Sequence, residues 1–84
     1  MALIFGQHAR LRMQQRGIVE AWIELTVRQP AHVEPCPRDA ALVRARRRIP
    51  QRGNRVLRVV YRPAGTDVVV VSMFFDRGAK RWLP

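Results

Sequence analysis

The chain is expected to form one α+β domain over residues 1–84, with two N-terminal helices packed on a four-stranded antiparallel sheet. Three observations carry that expectation. Apolar residues recur at helical spacing before Pro30 and at alternate positions after it. Two Gly-bearing connections, 50–54 and 63–66, divide the second half into strands of hairpin length. Finally, 84 residues are one domain's worth of chain, and the 48% that are hydrophobic suffice for a thin core and exclude the disorder signature.

Taken in order, Leu3-Ile4-Phe5 is a candidate for a short extra strand that Gly6 breaks. A first helix is predicted over 7–16, because Gly17 then stands where a left-handed C-cap belongs. A second is predicted over 19–29, with Val19, Trp22, Ile23, Thr26 and Val27 on one side and Pro30 just past its end. Residues 32–35 are limited by Pro35 and read as an edge strand. Longer strands are predicted over 41–49, 55–62 and 67–75. Their alternation separates two faces: Val43, Ala45, Ile49, Leu57, Val59 and Tyr61 toward the helices, and Arg44, Arg46, Arg48, Arg58 and Arg62 away from them. Val68 to Val71 is apolar at every position, as in a strand covered on both faces. Arg47 is the exception on the apolar face and needs a partner or an opening there, because an unpaired buried charge is costly.

The charge narrows the function classes. Sixteen basic residues, fifteen of them arginine and one Lys80, stand against six carboxylates, for a net charge of +10. A GC-rich coding sequence would explain arginine over lysine, but not the net charge. A field of that sign attracts nucleic acid, an anionic membrane or an acidic protein. Arginine in particular grips phosphate with a planar fork and stacks on bases. The lone Cys36 rules out an intrachain disulfide and argues against a dedicated zinc site, which fits a reducing cytosol. The apolar opening is too short for a signal segment and no stretch has membrane-spanning length, so a cytoplasmic protein is expected.

The most specific local pattern lies on the first helix. His8, Arg12 and Arg16 stand at i, i+4 and i+8, within about 80° of helix surface at 100° per residue. Ala9 and Met13 flank them on the buried side, so the stripe follows the border of the core and can line a cleft. The helix N-terminus and the two arginines favour a neutral imidazole. Neutral imidazole can take a proton from a ribose 2′-hydroxyl while guanidinium groups hold the phosphate, a chemistry that uses no metal or other cofactor. Arg47, Arg58 and Tyr61 are the candidate substrate-binding residues from the strands. The same stripe is also the ordinary pattern of a solvated helix face. Trp22 is expected in the core, Ser72 is expected to be a satisfied core hydroxyl, and His32 carries no signal. The basic tail 76–84, with Trp82, either stacks on a base or caps the sheet.

The run His8-Ala9-Arg10-Leu11-Arg12-Met13-Gln14-Gln15-Arg16-Gly17-Ile18 resembles the opening motif, H-A-x-x-R-M-x-x-R-G-I, of a bacterial family known as domain of unknown function forty-two fifty-eight. Pro30, the segment Leu57-Arg58-Val59-Val60-Tyr61 and the apolar strand through Ser72 are similar to that family's pattern. Gly6-Gln7 departs from its usual Thr or Ser helix cap, and Ser72 from its usual Thr. The family looks related in fold to the RelE-type toxins, which are metal-independent ribonucleases. The resemblance thus implies a RelE-like fold, a toxin-type endoribonuclease with His8, Arg12 and Arg16 at the polar motif positions, and an acidic antitoxin as partner. The alternatives are a non-catalytic RNA- or ribosome-binding module, and a protein-interaction domain for an acidic partner.

Overall fold

A computed structural model describes residues 1–78. The tail 79–84, with Lys80 and Trp82, lies outside the described residues. The elements are β1 (Leu3–Phe5), α1 (Gln7–Arg16), α2 (Glu20–Arg28), β2 (His32–Cys36), β3 (Asp39–Ile49), a short 3₁₀ turn (Pro50–Arg52), β4 (Arg55–Ala64) and β5 (Asp67–Phe75).

The first helix ends where the sequence predicts. Gly17 adopts φ 63°, a left-handed conformation that a β-carbon disfavours, and its N–H and that of Ile18 close on the carbonyls of Gln14 and Met13. Only Ile18 and Val19 separate that glycine from α2. Gly53 and Asn54 repeat the left-handed conformation (φ 63° and 59°) at the turn before β4, as its hairpin chemistry requires.

The sheet corrects the four-stranded antiparallel expectation. It has five strands in the order β1-β5-β4-β3-β2 and is mixed, because β1 runs parallel to β5 with Leu3, Ile4 and Phe5 opposite Val68, Val69 and Val70. The physical reason lies at the edge of β5. Without β1, the N–H and C=O groups of an apolar strand would face water unpaired. The N-terminus instead covers them, and it is pinned by Val68 N–H donating to the Ala2 carbonyl (3.0 Å) and Ala2 N–H to Asp67 Oδ1 (2.9 Å). The overall class remains α+β.

Both helices lie on one side of this sheet. Ile23, Ile49, Leu57, Val59, Val70 and Met73 form the buried centre between the layers, with Ala9 and Met13 from α1. Thr26 is also buried there, its Oγ1 donating to the Trp22 carbonyl at 2.8 Å. Val68 and Met73 both face this core, although an odd number of positions separates them. A bulge resolves the parity: Val60 pairs with Ser72 and Tyr61 with Val70, so Val71 is the extra residue. Val71 is consequently exposed, and the expectation of cover on both faces fails at that position. Among the described residues no helix is long and apolar enough to cross a membrane.

Candidate functional site

The sequence-derived candidates divide between two layers. On α1, His8 is exposed and Arg12 is half-buried, and Arg12 Nε donates to His8 Nε2 at 3.4 Å. Arg16 is tied elsewhere, its Nη1 donating to the Met73 carbonyl at 2.7 Å. The pairing with β1 stops at Val70, so Arg16 takes up a carbonyl on the part of β5 that β1 does not reach. Arg47 lies on the helix side and donates from Nη1 to the Gln29 carbonyl at 2.6 Å, at the negative end of α2. Tyr61 packs against the core cluster on that same side. Arg58 lies on the opposite face, between Leu57 and Val59, which point into the core. His8 and Arg12 therefore meet each other, whereas Arg58 is separated from them by the thickness of the sheet.

That opposite face gathers a different constellation. Register places His32, Arg46, Arg58 and Phe74 in one row across β2, β3, β4 and β5. Glu34, Arg44, Val60 and Ser72 form the next row. The alternation that sends Ala45 and Leu57 inward sends all these side chains outward. Among the described residues neither helix covers them.

Arg46 is the centre of the cluster, with its side chain only 4% exposed. Its Nη1 donates to Glu34 Oε1 at 2.7 Å and its Nε to Asp76 Oδ2 at 3.4 Å, while His32 Nδ1 lies 3.5 Å from Nη1. Arg44 approaches the same Glu34 oxygen at 3.6 Å, and Arg58 approaches Asp76 Oδ2 at 3.5 Å. The Arg58 guanidinium also sits 4.1 Å from the centre of the Phe74 ring, a cation–π contact.

The hydrogen bond from Arg46 holds the Glu34 carboxyl below the usual carboxylate range, against an opposing effect of burial, so Glu34 is ionised at neutral pH. Burial, and then the neighbouring charge of Arg44, depress the pKa of Arg58. Two guanidinium groups are thus crowded into a partly dry site. The buried Nε atoms of both Arg44 and Arg58 have no acceptor among the described residues. A cavity of about 390 Å³ opens over the cluster, lined by Glu34, Pro37, Arg44, Arg46, Arg58 and Asp76 among others. Among the described residues, no three His, Cys, Asp or Glu side chains gather to hold a metal ion.

The family model described as Domain of unknown function (DUF4258) matches residues 5–75, from the last residue of β1 to the last of β5. The chain belongs to this family. No curated protein and no solved structure matches the chain.

Within this DUF4258 domain the arginines of the outer face were legible from strand alternation, but Glu34, His32 and Asp76 were not. Glu34 and His32 stand in a five-residue strand interrupted by Pro35, and Asp76 follows the last residue of β5. The available signal was the same-face spacing of His32 and Glu34 at i and i+2. Matching them to Arg46 and Arg44 requires the β2–β3 register, which alternation alone leaves open.

Proposed function

We propose that this DUF4258 chain is an RNA-binding domain that holds the phosphate backbone on the arginine-bearing face of its sheet. The observation that carries this reading is the cluster of Arg44, Arg46 and Arg58, which remains net positive after Glu34 and Asp76 are paired. Two of its Nε–H donors also lack acceptors among the described residues. Buried donors without partners call for an explanation, and a bound oxyanion or water supplies one. The overall charge of +10 adds long-range attraction. The half-buried lone Cys36 suits a reducing cytosol, where RNA and ribosomes are found.

The test is the affinity for a short single-stranded RNA as salt is varied. With about three phosphates neutralised, affinity should fall roughly 20-fold between 50 and 200 mM salt. An affinity indifferent to salt would exclude the reading.

The second reading is a toxin-type, metal-independent endoribonuclease related to the RelE group, restrained by an acidic antitoxin. The contact between Arg12 and His8 favours it, since a guanidinium adjoins an imidazole at the border of α1. RNA incubated with purified protein in chelator should then be cut by the wild type and spared by His8→Ala. Equal inertness of the two proteins overturns catalysis at His8.

A further inference from the structure

We propose that the cavity over Arg46 is a single-nucleotide subsite specific for RNA, with the phosphodiester on Arg44 and Arg58 and the ribose 2′-hydroxyl on Glu34. This rests on the RNA-binding reading and adds to it a position, a set of groups and a discrimination against DNA.

The division of labour follows from how the charges are paired. Arg46 is almost wholly buried and takes both carboxylates, so it is the internal counter-ion that keeps Glu34 and Asp76 in place. Arg44 and Arg58 are about one-fifth exposed, with side-chain accessibilities of 23% and 20%, and they flank the opening. Burial first, and then the charge of Arg44, hold the Arg58 pKa down, so the two guanidinium groups repel each other. An anion between two such groups relieves their repulsion and offers acceptors to guanidinium donors. The volume of about 390 Å³ lies in the range of small-molecule sites and exceeds what an isolated phosphate needs. Arg58 lines the cavity, 20% exposed and backed by Phe74, and a guanidinium so placed is a group on which a base can stack.

Glu34 supplies the discrimination. Arg46 and Arg44 both approach its Oε1, and the side chain remains 27% exposed where it lines the cavity. An ionised carboxylate oxygen accepts hydrogen bonds and repels phosphate oxygens. Beside a bound phosphodiester it therefore selects a neighbouring hydroxyl donor, and in a nucleic acid that donor is the ribose 2′-OH. DNA lacks that hydroxyl and forgoes the hydrogen bond.

The experiment compares, by fluorescence anisotropy, one sequence as RNA, as DNA and as 2′-O-methyl RNA. Wild type should bind the RNA at least about tenfold tighter than either analogue, the usual scale of a hydrogen bond to a charged group. Arg44→Gln and Arg58→Gln should each weaken RNA and DNA alike and flatten the salt dependence, whereas Arg10→Gln on the helix layer removes the same charge and changes neither. Glu34→Ala, checked for folding by its thermal melt, should erase the preference for RNA. The wild-type comparison stands even if that variant unfolds. Equal binding of RNA and DNA by wild type overturns the Glu34 assignment. Wild-type affinity in both arginine variants overturns the subsite while leaving RNA binding intact elsewhere on the surface. Absence of any RNA binding overturns the parent reading as well.

Discussion

Replacing Arg46 with alanine is expected to destabilise the domain by about 3–5 kcal/mol, the scale of removing one partner from a buried ion pair. The side chain is 4% exposed and contacts both Glu34 and Asp76, whose side chains are 27% and 17% exposed. Alanine would leave two carboxylates facing each other across a partly dry site without the cation between them. It would also remove the aliphatic stem that fills the centre of the outer face. Urea unfolding measures the loss as a lower midpoint at unchanged slope. The effect has a pH signature with a definite sign. The Glu34 pKa is depressed on folding, so its contribution to stability is full above the ordinary carboxylate range and is lost as pH falls through the folded value. Wild type should therefore lose stability as pH falls below the ordinary Glu value of 4.5 and through the lower folded value. The Arg46→Ala protein, which lacks the hydrogen bond that lowers that pKa, should lose less over the same interval. A midpoint within experimental error of wild type would show that Arg46 is not the keystone of the cluster.

The parts of the fold that periodicity decides are legible in the sequence. Gly17 and Pro30 mark the helix ends within one or two residues, and alternation assigned Leu57 and Arg58 to opposite faces. Pairing partners were not legible. Leu3-Ile4-Phe5 reads equally well as a loose apolar end or as a strand, and only the need of Val68–Val70 for an edge partner makes it β1. The bulge at Val71 was hidden for a related reason, because four consecutive valines have no alternation to break.

The candidate site shows the same limit. Helical spacing gathers His8, Arg12 and Arg16 on one stripe, yet spacing cannot reveal that Arg16 is engaged by the Met73 carbonyl. Arg47 reads as a charge needing a partner, and its Nη1 finds one in the carbonyl of Gln29, the residue that caps α2. Conversely, Glu34 lies twelve residues from Arg46 in the chain. Their contact exists only because β2 and β3 pair in one register.

Leucine 57 and its neighbour Arg58 provide the sharpest separation between fold and function. Leu57→Ala is expected to cost about 2–5 kcal/mol, because the side chain is fully buried in the central strand and its removal leaves a cavity between Ile23's layer and the sheet. In a domain whose whole stability is on the order of 5–15 kcal/mol, the upper end of that range leaves a substantial unfolded fraction. The fraction that remains folded still presents Arg44, Arg46 and Arg58, so RNA affinity per folded molecule should be unchanged. Arg58→Gln inverts the pattern. It removes an ion-pair contact of 3.5 Å and a ring contact from a side chain at the rim of the cavity, so its thermal midpoint should move much less than that of Leu57→Ala. Its RNA affinity, on the proposed reading, should fall and lose part of its salt dependence. Thermal melts and anisotropy titrations on the two variants place each residue on a plane of stability against affinity. If both variants lie on one line, the outer arginines act only through folding, and the sheet face has no binding role of its own.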